Sequence, residues 1–191
     1  MWIRTALSLA VAVLLLPLVE AAGTSARLAT AKDATVAYTY AKTSNGSYVA
    51  YTPTGGSPTL VADRTSNEYR RILLGYTLPS QVSSASAISS CVLNIPRPFR
   101  VPSRNLTLLA YSVTGSWDED TVTAATVLTT VKLLGTTNVT RAGTAAPIDI
   151  LDACRGATGG AFSVFVDSIR PIVTFSSRNT GRDTFSVDLV Y

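Results

Sequence analysis

The residues that could do chemistry in this chain are acids, arginines and aromatic side chains, because the sequence contains no histidine. Without an imidazole there is no histidine-based catalytic triad and no imidazole ligand for a metal. Carboxylate pairs exist, as in residues 118–120, and a glycosidase uses two such groups across a sugar. Adjacent acids on a turn are more typical of solvated charges or of a structural cation site. The sequence therefore predicts a protein that is not an enzyme.

The most distinctive local cluster is Trp117 followed by Asp118, Glu119 and Asp120. An indole can stack on a sugar beside carboxylates that accept hydrogen bonds from its hydroxyl groups, and carboxylate oxygens also bind calcium. The other interpretation is that Trp117 packs under the fold while the three acids hold a tight turn. Packing is favoured, a structural calcium ion at the acids stays open, and no other cofactor is expected.

Arginine carries most of the positive charge, and several arginines are clustered. A guanidinium group binds a carboxylate or a sulfate through two parallel hydrogen bonds, which suits acidic glycans. The alternative is a solvated charged loop, which is slightly favoured. The candidates are Arg97, Arg100 and Arg104 around Phe99 in one basic loop, and Arg64, Arg70 and Arg71 in a second cluster.

Tyrosines offer a second kind of contact with sugars. Tyr48 and Tyr51 lie near a loop rich in glycine and proline and are candidates for a stacking platform. Tyr38 shares a strand face with Val36, so core packing is the better interpretation there.

The two cysteines, Cys91 and Cys154, are expected to form a disulfide bond with each other, because two thiols alone are too few ligands for a metal site. Three sequons, at Asn45, Asn105 and Asn138, are acceptors for N-glycosylation if the source is a eukaryote. Asn45 and Asn138 are the better candidates, since their surroundings are turn-like.

These residues must be positioned by β-strands, of which residues 69–79, YRRILLGYTLP, form the most clearly patterned. Ile72, Leu74 and Tyr76 fall on one face and Leu73 on the other, so this segment is predicted to be a central strand covered on both sides. Other short, evenly spaced β-rich runs indicate an all-β, antiparallel β-sandwich of the jelly-roll type. Extended structure is predicted for residues 32–40, 47–52, 59–62, 88–95, 106–113, 161–167, 172–175 and 184–191.

Three segments are exceptions to this pattern. Residues 96–104 contain three prolines and cannot form a ladder strand, so they are predicted to be a basic loop. Residues 122–134 are ambiguous between extended chain and a helical turn. Residues 148–154 form either a short strand or one helical turn.

The first part of the chain is predicted to direct export. Residues 1–21 combine a positive start, an apolar run and small residues before a cleavage site, which is the pattern of a secretory signal peptide. Residues 22–31 are expected to be a flexible lead and residues 32–191 a single β-sandwich domain. We therefore expect a secreted protein, extracellular or at the cell surface, with no membrane contact after cleavage.

A series of motifs resembles the extracellular DNRLRE domain, also classed as carbohydrate-binding module family 96. The motifs occur in the order KDATV, PTLVAD, RRILLGYTLP, SVTGSWDEDTVT, IDILDAC, FSSRNTG and TFSVDLVY. The resemblance implies a β-sandwich module on secreted and surface proteins, often beside polysaccharide-degrading enzymes. Some members of that family bind acidic polysaccharides such as alginate.

Two functions follow as expectations. The first is a non-catalytic module that binds an extracellular or cell-wall polysaccharide, which suits the formal net charge of +4 if the polymer is acidic. The second is a structural subunit of a surface layer, matrix or filament, assembled from copies of itself by strand addition of residues 22–31 or by sheet-edge contacts. Nucleic acid is not an expected partner.

Overall fold

We describe the chain in a computed structural model, which covers residues 23–39, 54–64, 68–100, 102–126, 128–157, 159–169 and 172–191. The predicted signal peptide, the possible strand at 47–52, Tyr48, Tyr51 and Asn45 lie outside these residues. Within these described ranges, no helix has both the length and the apolar character needed to span a membrane.

The described chain folds into two antiparallel β-sheets that pack against each other. The smaller sheet has four strands in the order β1-β11-β5-β8, and the larger has seven, in the order β10-β3-β4-β9-β6-β7 with β2 also paired to β4. The strands are β1 (Ser25–Ala29), β2 (Lys32–Thr39), β3 (Thr59–Arg64), β4 (Glu68–Thr77), β5 (Ser90–Asn94), β6 (Leu106–Thr114), β7 (Thr129–Val139), β8 (Ile148–Asp149), β9 (Ala161–Ile169), β10 (Val173–Ser176) and β11 (Ser186–Val190). One α-helix, α1 (Leu151–Arg155), and two 3₁₀ turns (Ala85–Ala87 and Arg178–Thr180) complete the described elements.

The path of the chain between the sheets is that of a jelly roll. The order β1-β11-β5-β8 in one sheet and β4-β9-β6-β7 in the other is that of such a fold, and the chain crosses repeatedly from one sheet to the other. Leu60 of β3 and Phe175 of β10 also lie in the core between the sheets. β2, β3 and β10 are additions around β4, since β2 pairs with β4 and β10 pairs with β3. The predicted all-β, antiparallel jelly-roll sandwich is confirmed.

β4 is covered on both faces, as its sequence predicts. Ile72, Leu74 and Tyr76 point into the main core between the two sheets. Leu73 points to the outer face of the larger sheet and is nevertheless 0% exposed. It belongs to a second, smaller core on that face.

The second core exists because the loop between β6 and β7 folds over the outer face of the larger sheet. This loop contributes Trp117 and Val122 to a cluster whose remaining buried members come from the sheet itself. Those members are Ala34, Val36, Leu73, Val113 and Phe165. The ambiguous stretch 122–134 thus divides into loop and the first part of β7, and 148–154 contains both a two-residue strand and the helix α1.

The segment expected to be a flexible lead differs from its prediction. Residues 25–29 form β1, which pairs with β11 over five residues. Leu28 is buried in the main core, and Arg27 binds Asp188 on β11 through two hydrogen bonds of 2.7 and 2.9 Å. The small, polar side chains of this segment gave no strand pattern, since the strand is held mainly by backbone hydrogen bonds to β11.

Candidate functional site

Trp117 lies inside the fold rather than on a binding surface. It is 7% exposed, and its indole nitrogen donates a 2.9 Å hydrogen bond to the hydroxyl of Ser163 on β9. The ammonium group of Lys32 lies 4.2 Å from the ring centre and also donates to the Trp117 carbonyl. With its ring covered in this way, Trp117 offers little face to a sugar, so the packing interpretation is favoured.

The three acids after Trp117 point in different directions. The exposed Asp118 accepts a 3.0 Å hydrogen bond from the backbone N–H of Asp120, which closes a tight turn. Glu119 instead accepts from the guanidinium of Arg178 at 3.1 Å and from the backbone N–H of Asp33 at 3.2 Å. Across the described ranges, no three His, Cys, Asp or Glu side chains are grouped closely enough to hold a metal ion. Asp118 thus closes a turn, while Glu119 joins Asp33 and Arg178 in a polar network that we call the clamp.

Asp33 is the centre of this clamp and was not singled out by sequence reasoning. Its carboxylate is buried and accepts hydrogen bonds from the hydroxyl of Ser177 at 2.8 Å and the backbone N–H of Arg178 at 2.7 Å. Burial raises the pKa of the Asp33 carboxyl above its ordinary value, although these hydrogen bonds and the nearby Arg178 charge act in the opposite direction. The network joins β2, the β6–β7 loop and the turn after β10.

The clamp is built from residues of three separate sequence motifs. KDATV supplies Lys32 and Asp33, the acidic stretch supplies Glu119, and FSSRNTG supplies Ser177 and Arg178. The signal that could have found it is the joint occurrence of these motifs in the series quoted above. Its polar groups bind one another, so the clamp holds the fold and presents no vacant binding site.

Arg71 is also engaged inside the molecule. Its guanidinium donates to Asp167 at 2.6 Å and to the hydroxyl of Thr130 at 3.0 Å, and it lies over the ring of Phe165. The hydroxyl of Tyr69 donates to the same Asp167 carboxylate. Arg71 was a candidate for ligand binding, but in the structure its hydrogen bonds join β4, β9 and β7.

Arg70 forms an ion pair with Glu68 on the same strand. Both line a cleft of about 310 Å³ beside β2 and β3. Thr35, Thr54, Ser57 and Thr59 are among the other residues of this cleft. Arg64, the third member of that basic cluster, is exposed at the end of β3, and its guanidinium lies over the ring of Tyr69.

In the basic loop, residues 96–104, buried prolines alternate with exposed side chains. Pro96, Pro98 and Pro102 are buried, which anchors the loop on the sandwich. The side chains that point to solvent are Arg97, Phe99, Arg100 and Arg104. Phe99 is 61% exposed, the highest value among the large hydrophobic side chains described.

Two backbone hydrogen bonds fasten the same loop. The N–H of Arg97 donates to the carboxylate of Asp183 at 3.2 Å, and the N–H of Phe99 donates to the carbonyl of Thr174 on β10 at 2.7 Å. The side chains of Arg97, Arg100 and Arg104 form no ion pair with a described acid. The structure therefore leaves the arginines of one predicted cluster exposed, in the same loop as an exposed aromatic ring.

The cysteines form the predicted disulfide, which links β5 to α1 through Cys91 and Cys154. Of the sequons, Asn105 is exposed just before β6. Asn138 is exposed within β7, not in a turn, and its side-chain oxygen accepts a 2.9 Å hydrogen bond from the hydroxyl of Thr107. Thr107, which lies opposite Asn138 on the paired strand, is itself the third residue of the Asn105 sequon, so the two sequons meet in the β6–β7 ladder.

No model of a known protein family matches this sequence, and a search of curated proteins finds no match either. The resemblance to the DNRLRE domain stays a prediction from its motifs.

Proposed function

We propose that this protein is a secreted, non-catalytic module that binds an acidic extracellular or cell-wall polysaccharide through the basic loop. The observation that carries the proposal is that Arg97, Arg100 and Arg104 are exposed in the same loop as the exposed Phe99 and form no ion pair with an acid in the described part of the chain. Each guanidinium can bind a carboxylate or a sulfate through two parallel hydrogen bonds. Phe99 adds an apolar face of the kind that packs on the C–H face of a sugar ring.

The anchoring of the loop supports the proposal because a rigid loop loses little conformational freedom when a ligand binds. The buried prolines fix three backbone φ angles, and the hydrogen bonds to Asp183 and Thr174 hold the backbone at Arg97 and Phe99. A long polyanion would gain affinity from several weak contacts of this kind along its length.

A non-catalytic, secreted role is consistent with the rest of the chain. The sequence has no histidine. Glu119 and Asp167, two acids near the outer face of the larger sheet, are occupied by Arg178 and Arg71. A disulfide in the core supports an oxidising compartment.

Affinity gel electrophoresis tests the proposal with polygalacturonate, dextran sulfate and neutral dextran as the immobilised polymers. We expect retardation by at least one acidic polymer, none by neutral dextran, and a loss of retardation as salt is added. Arg97→Ala or Arg100→Ala should weaken binding about five- to tenfold, which corresponds to roughly 1 kcal/mol. Phe99→Ala should weaken binding with little change in its salt dependence.

The matched control is Lys132→Ala, which removes the same charge from β7 in an exposed pair with Asp152. Lys132 is paired with α1, which is attached to the chain just before β5 through Ile88. The basic loop begins after the opposite end of β5. Equal weakening by Lys132→Ala would mean that net charge alone acts, and an absence of retardation on every acidic polymer would refute the proposed function.

A further inference from the structure

The edges of the two sheets differ in how well they are protected against pairing with another chain. β8 is only two residues long. β10 has four residues, and the basic loop donates a hydrogen bond from Phe99 to its outer side. β7 pairs with β6 through two register shifts and carries Lys132. Short strands, covering loops, bulges and edge lysines are the devices by which proteins prevent edge-to-edge association.

β1 is the exception among these edges. It pairs with β11 over five consecutive residues without a register shift. Ser25, Arg27 and Ala29 are exposed, and two of these three side chains are small. No strand in the described part of the chain pairs with the other side of β1.

The direction of the backbone groups of β1 follows from its ladder. Thr24 and Tyr191 exchange hydrogen bonds in both directions, at 2.7 and 2.9 Å, so they form a hydrogen-bonded pair. In an antiparallel ladder such pairs alternate with pairs whose backbone groups point away from each other. The N–H and C=O groups of Ser25, Arg27 and Ala29 therefore point outward from the sheet, and no described residue binds them.

We propose that this outer edge of β1 pairs, antiparallel, with β1 of a second copy of the chain, so that two four-stranded sheets become one. A two-fold axis between the copies makes each edge its own complement. The edge is locally neutral, because Asp188 holds the guanidinium of Arg27 through two hydrogen bonds, so an identical copy is not repelled. Like charges directly opposite each other are unfavourable, so Arg27 of one copy lies opposite Ser25 or Ala29 of the other.

This arrangement limits the size of the assembly. On the remaining edge, β2, which among the described strands pairs only with β4, the N–H groups of Asp33 and Thr35 already donate to Glu119 and Thr54. Because the other described edges are short, covered or bulged, β1 is the edge that each copy offers for pairing, and a single isologous contact closes on itself. The expected product is a dimer, in contrast to the filament that a second open edge would allow. The contact is independent of the basic loop and of the proposed polysaccharide binding.

Sedimentation velocity of the purified protein over a wide concentration range tests this inference. We expect a monomer–dimer equilibrium without larger species. Ala29→Pro and Ser25→Pro each remove an outward N–H while leaving every ladder bond to β11 in place, and proline is tolerated at such edge positions. Each should weaken dimerisation at least tenfold with little change in the melting temperature at low concentration.

Amide hydrogen exchange gives a second measurement that does not depend on a substitution. The amides of Ser25, Arg27 and Ala29 should exchange freely in dilute protein and become protected as concentration rises, whereas the Ala26 and Leu28 amides should be protected throughout. Leu133→Asp, at an exposed apolar position on β7, serves as the control and should leave the dimer intact. The inference is overturned by a monomer at all concentrations, by a dimer that survives both proline variants, or by a dimer that Leu133→Asp abolishes.

Discussion

Arg71 donates a 2.6 Å hydrogen bond to Asp167, and the two side chains are 11% and 8% exposed. The pair lies on the outer face of the larger sheet, where the guanidinium carbon is 3.9 Å from the centre of the Phe165 ring. Removing two charges from water is unfavourable, and here the loss is offset by the ion pair and by hydrogen bonds that Thr130 accepts from Arg71 and Tyr69 donates to Asp167. The pair thus ties β4 to β9 at the edge of the second core.

Arg71→Ala is therefore expected to destabilise the fold by about 3–5 kcal/mol, because it leaves the Asp167 carboxylate buried without its partner. The double variant Arg71→Met/Asp167→Leu should be far more stable than the single one, since it removes both charges and keeps apolar volume. Urea unfolding of the three proteins measures the difference.

Arg64→Ala is the control for this prediction, because Arg64 is exposed and its substitution should change the free energy of unfolding by no more than about 0.5 kcal/mol. If Arg71→Ala and Arg64→Ala had similar effects, the buried pair would have no structural role.

The sequence predicts the sandwich because strand periodicity is a local property. The alternation of Ile72 and Leu74 against Leu73 indicates a strand buried on both faces, and the structure buries all three. Three prolines likewise exclude a strand from the basic loop. In both cases the information lies within a few neighbouring residues.

The internal partners could not be predicted in this way. Arg71 and Asp167 are 96 residues apart, and Ser177 and Asp33 are 144 apart, so no local pattern shows that they meet. Arginine types and spacing are the same for a solvated cluster and for one that becomes buried. β1 was missed for a related reason, since it is held mainly by backbone bonds to β11 at the other end of the chain.

Two neighbouring glycines give a test of the β6–β7 loop. A Cβ atom on Gly55 would lie 2.0 Å from the backbone oxygen of Glu119, whereas a Cβ atom on Gly56 would meet nothing within 4 Å. Gly55→Ala must therefore displace the loop that covers the second core, and we expect it to destabilise the protein by about 1–3 kcal/mol.

Gly56→Ala should be neutral or should stabilise by up to about 1 kcal/mol, because alanine lowers the entropy of the unfolded chain. Thermal unfolding followed by Trp fluorescence would report both the stability and the environment of Trp117. Equal melting temperatures for the two variants would show that Gly55 does not pack against Glu119.

The buried carboxyl of Asp33 predicts a particular dependence of stability on pH. Because burial raises its pKa in the folded protein above the unfolded value of about 3.9, the ionised form is disfavoured by folding. Its contribution to stability is fully present below about pH 4 and declines as the pH rises through the folded pKa. Asp33→Asn does not titrate, so the stability of the native protein relative to this variant should fall over that interval and then stay constant.

Asp33→Ala provides the comparison at neutral pH. It leaves the Ser177 hydroxyl and the Arg178 N–H without their acceptor, which should cost about 1–3 kcal/mol, more than Asp33→Asn. Guanidinium chloride unfolding at a series of pH values measures all three proteins. A relative stability of the native protein that increased with pH would contradict the raised pKa.

The disulfide between Cys91 and Cys154 closes a segment of 63 residues that includes β6, β7 and the basic loop. On the chain-entropy model, a loop of this length stabilises the fold by about 4 kcal/mol through its effect on the unfolded chain. It also fastens α1, whose five residues are too few to form a stable helix alone. The guanidinium of Arg155 adds hydrogen bonds of 3.1 and 2.8 Å to the carbonyl of Ile88.

The double variant Cys91→Ala/Cys154→Ala should therefore lose about 4 kcal/mol in the free energy of unfolding. Its α1 amides should exchange well before those of β4, because the helix then depends on side-chain contacts alone. Both sulfur atoms lie in the main core, at 0% and 1% residue exposure, so a mild reductant should act on the native protein only as fast as the protein opens. Rapid reduction without unfolding, or a double variant as stable as the native protein, would show that the cross-link is peripheral to the fold.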